Sequence, residues 1–228
     1  MQLLIIMLVN RLATIYLAII ILNPIIYDAY AQTRNNERLV IPFNAANSSR
    51  NEPAHYEFKQ EHIANWIINI SNYLIYNPNN GNANVIIRFI NNYNTNEFLE
   101  LGMASKDNML WFAVSKEQTG YTMMYKNTNA WFQDKQVMLT YAQGDRLSVN
   151  NGQRIIVDRL NIGQFAIKSI EVFSSMDDPS ISSSVGGQLI IDIVSGNPLD
   201  NPIMSIPFIV TGAVAGIVLI LLKTRRRD

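Results

Sequence analysis

Cysteine is absent from the 228 residues, histidine occurs twice, and neither sign of charge prevails, with eighteen Lys/Arg against eighteen Asp/Glu. Without thiols there are no disulfides, no thiolate nucleophile, no cysteine-ligated iron–sulfur cluster and no blue-copper centre. A domain of roughly 150 residues buries enough surface to fold without such staples, and an exported chain without them leans towards a prokaryotic envelope. Between residues 32 and 200 there are thirteen basic and sixteen acidic residues, a net charge of −3. With no basic stripe on that stretch, nucleic acid is excluded as a partner. No Gly-rich loop follows a strand and opens a helix, which removes nucleotide binding. A three-turn amphipathic helix is missing too: the nearest, "EFKQEHIANWII", fits a strand "WIINIS" nearly as well.

What the chain does have is apolar mass at its ends. Residues 1–31 read as a signal peptide, with the apolar run 12–22, Pro24 closing it, and Ala29-Tyr30-Ala31 as a small-x-small cleavage site before Gln32. An uncleaved anchor is the alternative, because residues 3–9 extend the apolar stretch past Arg11. Residues 203–222 carry no charge, and twenty helical residues span about 30 Å, the thickness of bilayer hydrocarbon. Lys223, Arg225, Arg226 and Arg227 follow directly, which predicts a single-pass protein in the cell membrane, ectodomain outside and residues 223–228 as a basic cytoplasmic tail. That tail meets lipid headgroups. Gly212 and Gly216 stand four apart in the span, the spacing that lets two helices approach closely, so self-association or packing against a membrane-complex partner is set beside plain contact with lipid.

Between the ends, apolar residues alternate. Val85, Ile87 and Phe89 share a face, as do Leu110, Phe112 and Val114, with Trp111, Ala113 and Ser115 on the reverse; Val137, Leu139 and Tyr141, and Ile155 and Val157, repeat the pattern. Asn-rich breaks separate these runs: "NPNNGN", "NNYNTN", "SKDN", "QGD", and Asn151-Gly152, expected as a type I′ pair. About ten strands are predicted, hence an all-β, antiparallel two-sheet sandwich over residues 32–173. A Ser/Gly-rich juxtamembrane segment, 174–202, follows, with a further strand at 188–194. The meander "FLELGMASKDNMLWFAVSKEQTGYTMMYK", then "KQVMLTYAQGDRLSVNNGQRIIVDRL" and a closing "FAIKSIEVFSS", resembles the concanavalin-A-like and laminin-G-like jelly rolls. The resemblance covers about half the ectodomain and implies a sandwich of the kind used to bind glycans or proteins at cell surfaces.

Catalytic chemistry is hard to find in the sequence, and the expectation is that the chain is not an enzyme. No run of alternating acids occurs, and Glu97 and Glu100, three apart, would point to opposite faces of a strand and read as solvated turn residues. His55 and Glu57 would supply two ligands of a metal site and no more, beside a repelling Lys59, while His62 falls on the other face with Tyr56 and Phe58. No cofactor is expected. A structural calcium ion is considered because Asp107, Asn108, Asp134, Asp177 and Asp178 offer hard oxygen ligands in loops, and the resemblance implies such loop-end sites. Aromatic rings and amides suit sugars, so Trp131 and Phe132 in "NAWFQ", with Tyr121 and Tyr125, are the candidate ligand-binding residues. Asn47 and Asn69 head glycosylation acceptor patterns. The leading functional expectation is a surface protein that recognises a glycan or a neighbouring envelope protein. An accessory subunit of a membrane complex, and an extracellular hydrolase with an unrecognised site, are the alternatives.

Overall fold

Alternation of apolar residues turns much of the middle of the chain into strands with one apolar face. The computed structural model describes residues 35–62, 65–142, 144–175 and 181–196, of which Asn35–Ser195 belong to one compact unit. Fourteen strands run through the described residues: β1 (Asn35–Pro42), β2 (Ala54–His62), β3 (Trp66–Asn72), β4 (Ile75–Tyr76), β5 (Asn84–Asn91), β6 (Phe98–Ala104), β7 (Met109–Lys116), β8 (Gly120–Asn127), β9 (Val137–Ala142), β10 (Arg146–Asn150), β11 (Ile155–Asn161), β12 (Ile167–Phe173), β13 (Ser184–Gly186) and β14 (Gln188–Ser195). One helical turn, α1 (Phe43–Ala46), follows β1, and a single 3-10 turn, Lys106–Asn108, joins β6 to β7.

The strands form two six-stranded sheets, both antiparallel throughout. The first runs β1-β14-β3-β9-β10-β11, the second β2-β12-β5-β6-β7-β8, and β13 and β4 make a small third pairing. Their inner faces supply the core. Val85, Ile87 and Phe89 of β5, Leu99, Leu101 and Met103 of β6, and Leu110, Phe112 and Val114 of β7 share one buried cluster with Ile68 and Ile70 of β3 and Leu189, Ile191 and Ile193 of β14. This is the all-β two-sheet sandwich that the alternation predicts, of the jelly-roll kind the meander resembles. β14 lies between β1 and β3, an inner strand of the first sheet.

The asparagines explain themselves in the connections. Asn77, Asn80 and Asn94 each accept, through Oδ1, the backbone N–H two residues on, at 3.0–3.1 Å, the side-chain turn that makes Asn a loop residue. The Asn151-Gly152 hairpin departs from expectation. Of the two residues only Gly152 has positive φ, at 88°, and Asn150 pairs with Ile155 across a four-residue connection. Asn151 is buried, and its amide donates to the Ala130 carbonyl at 2.9 Å. That tertiary bond, with Asn151 Oδ1 accepting from Gln153 and Arg154, replaces the two-residue turn.

The expected signal peptide, the 203–222 span with Gly212 and Gly216, the basic tail, and Asp177 and Asp178 lie outside the described residues. Among the described residues no helix is long and apolar enough to cross a membrane.

Candidate functional site

The outer face of the second sheet is not the polar, hydrated surface that one-sided alternation produces. Because Leu99, Leu101 and Met103 point inward, Glu100 and Gly102 of β6 point outward, and their register partners Arg88, Ala113 and Trp111 point outward with them. Glu100 is 1% exposed. Its carboxylate accepts from Arg88 Nε at 2.9 Å, from the Tyr121 hydroxyl at 2.8 Å and from the Trp111 indole N–H at 3.4 Å. Arg88 is held in turn between two rings, 4.6 Å from the centre of Phe98 and 4.7 Å from that of Phe173, and reaches Glu171 at 3.8 Å. A carboxylate that gathers three donors around a stacked guanidinium fixes each donor's direction. Burial, and then the Glu100 bond and charge, push the Tyr121 phenol well above its ordinary value.

Gly102 and Trp111 are direct partners across β6 and β7. A Cβ on Gly102 would overlap the six-membered ring of the indole, so only glycine lets Trp111 lie across the sheet. The half-buried indole, steered by Glu100 at its N–H, borders a depression of about 340 Å³ lined also by Asn82, Asn84, Ala104, Lys106, Met109, Met123, Lys126 and Ser175. This is a polar-rimmed hollow with one aromatic wall, 44% exposed Met123 beside it, and amides and ammonium groups around it. Such a mixture stacks on the C–H face of a ring and hydrogen-bonds its substituents.

A second opening, of about 440 Å³, lies at the β8–β11 edge of the sandwich, with Val114, Met124, Leu160 and Ile162 as its apolar lining. Glu97 sits at it, paired with Lys116 at 2.9 Å and accepting from Asn91 at 3.0 Å. Burial pushes the Glu97 carboxyl up. The Lys116 and Asn91 bonds and the lysine charge together outweigh it and hold the group below its usual range.

The residues singled out from the sequence fall in several places. Tyr121, 48% exposed, belongs to the Glu100 cluster. Tyr125 packs against the core with its hydroxyl buried. Trp131 is 6% exposed, donates its indole N–H to the Ala104 carbonyl at 2.8 Å, and lies against Tyr76, so it is part of the core; Phe132 beside it is half-buried. Asp107 and Asn108 are exposed, both with positive φ, and their carbonyls accept the N–H groups of Asn129, Ala130 and Trp131. Exposed Asp134 pairs with neighbouring Lys135 at 3.5 Å. Among the described residues no cluster of three His, Cys, Asp or Glu is placed to hold a metal. Asn47 exchanges two bonds with the Ser184 backbone, at 2.8 Å each, while Asn69 lies in β3 opposite Asp192 and Met138. His62 is buried, its Nδ1 2.6 Å from Ser195 Oγ, and burial lowers its pKa.

Two acids need correcting. Glu97 and Glu100 are not solvated turn residues: Glu100 is a buried member of β6, and Glu97 is 16% exposed in an ion pair. The sequence-level clue to the cluster was the face shared by Trp111, Ala113 and Ser115. Nothing in spacing alone brings Arg88, Glu100 and Tyr121 to it, since they come from three strands.

No protein-family model matches the chain, and no curated protein matches it in sequence. Among solved structures, the Caenorhabditis elegans galectin LEC-6 matches at 12% identity and TM-score 0.38, over 70% of this chain and 95% of that one. A carbohydrate-binding module of Bacillus subtilis matches at 10% identity and TM-score 0.37, over 62% and 78%. A β-fructofuranosidase of Schwanniomyces occidentalis matches at 11% identity and TM-score 0.44, over 70% of this chain and 33% of that one, so the chain spans about a third of that enzyme. At these scores the architecture rests on the strand pairing itself. The expectation that the chain is not an enzyme does not stand, because hydrolases appear among the matched structures beside the binding proteins.

Proposed function

We propose that the sandwich binds a glycan on the outer face of its second sheet, with Trp111 as the stacking platform, and that the 203–222 span holds it at the cell surface. The observation that carries this reading is the Trp111 indole lying across Gly102, fixed at its N–H by buried Glu100 and open to the adjoining depression. A ring oriented in advance loses little freedom on binding, which is how a small hollow becomes a useful site. The matched carbohydrate-binding module of Bacillus subtilis is a protein whose own name speaks of such binding.

The test uses the full chain in detergent micelles on a glycan array, followed by titration calorimetry of the best binder, with the same mixtures analysed for cleavage products. Trp111→Ala should weaken binding about thirtyfold, the roughly 2 kcal/mol of an aromatic anchor, with the fold unchanged by circular dichroism. Undiminished binding by that variant overturns the assignment of the site.

A further inference from the structure

Among the described residues, the depression beside Trp111 is walled by two cations and no anion. Lys106 and Lys126 line it, and no carboxylate among the described residues does. Lys126 is the direct cross-strand partner of Trp111, so both side chains leave the sheet on the same side. Lys106 stands in the turn that follows β6, at the rim of the same hollow. Neither lysine joins an ion pair among the described residues. The buried carboxylate of this face, Glu100, is already engaged by Arg88, Trp111 and Tyr121.

Asn84 is committed as well, while the exposed Asn82 amide is not, among the described residues. The Asn84 amide donates to Asn82 and Ser175, and its Oδ1 accepts the Ser175 N–H at 2.9 Å. The polar capacity left for a ligand is therefore the Asn82 amide and two ammonium groups, the only charges among the described lining residues, flanking an aromatic wall. An ammonium is a compact charge without the fork of a guanidinium, and so it favours negative charge without demanding one planar shape. We infer that the site takes an acidic glycan, a sugar stacked on Trp111 whose carboxylate or sulfate, on that ring or the next, meets Lys106 and Lys126. This inference rests on the reading of Trp111 as a sugar platform and adds the class of sugar.

The experiment measures the full chain in micelles of uncharged detergent against matched pairs of probes. These are oligogalacturonate and its methyl ester, hyaluronan oligosaccharide and its carboxyl-reduced form, and heparan sulfate oligosaccharide and its desulfated, carboxyl-reduced form. At least one acidic member should bind about tenfold or more tighter than its neutral twin at low salt, the difference that one or two charge-assisted hydrogen bonds produce, and the preference should shrink as salt is raised. The double variant Lys106→Gln, Lys126→Gln should bring the acidic probe down to its neutral twin, leave the neutral probe as it was, and keep the melting temperature. Trp111→Ala should lose both probes. Equal binding of acidic and neutral twins, or an acid preference that survives the double variant, overturns the inference while leaving the platform in place. Binding of every probe that is indifferent to Trp111→Ala overturns the platform and the inference together, as does a failure of all six probes to bind.

Discussion

Glu100 holds together a face that alternation alone would have left to water. With its carboxylate 1% exposed and its salt-bridge partner Arg88 18% exposed, the pair is desolvated, and neutralising one member strands the other. Glu100→Gln should therefore destabilise the fold by about 3 kcal/mol, read by urea denaturation, and should loosen Trp111 and Tyr121 together because both donate to the same oxygen. A loss under 1 kcal/mol would mean that the guanidinium is held by its two rings alone. Glu97 gives a pH signature. Its carboxyl sits below the ordinary value of 4.5 in the folded chain, so the unfolded chain takes up its proton first. The stability it contributes is present above that value and is lost as the pH falls below it. Wild type should exceed Glu97→Gln by about 1 kcal/mol near neutral pH, and the two denaturation curves should converge as the pH is lowered towards 3. Curves that stay parallel would remove Glu97 from the acid limb.

Strands with one buried face could be read directly from the sequence because their period of two matches their environment. The inner faces of β5, β6 and β7 fall where alternation puts them. Two kinds of element were less legible. β6 is buried along nearly all its length, so its alternation is masked by apolar residues on both faces, and Glu100 looked like a turn residue because nothing local marks its partners on β5 and β8. Trp131 sits in a polar stretch of sequence yet is drawn into the core by a long-range bond to Ala104, which no local pattern encodes. The same contrast sets the sensitivity of elements. Ile191, in β14 between two neighbours of its sheet, is fully buried, whereas Ile155, at the start of edge strand β11, is 58% exposed. Ile191→Ala should cost about 2–5 kcal/mol and Ile155→Ala less than about 0.5 in the same denaturation series. Comparable costs would mean that β14 is not integral to the sandwich.

At the scale of the whole molecule, the site lies on one open sheet face of a sandwich whose chain continues, a few residues after β14, into the uncharged run at 203–222. The chain contains three tryptophans, and they occupy three different environments. Trp66 is 0% exposed and stacks on Tyr141 at 5.1 Å, Trp131 is 6% exposed in the core, and Trp111 alone of the three borders the depression on the outer face. Incorporating 5-fluorotryptophan into the full chain gives one fluorine resonance for each, assigned by single Trp→Phe variants. Titration with the glycan that binds best should shift the Trp111 resonance progressively to saturation while the Trp66 and Trp131 resonances stay in place. A glycan that saturates the protein and leaves Trp111 unmoved, or moves Trp131 in its stead, would contradict the account.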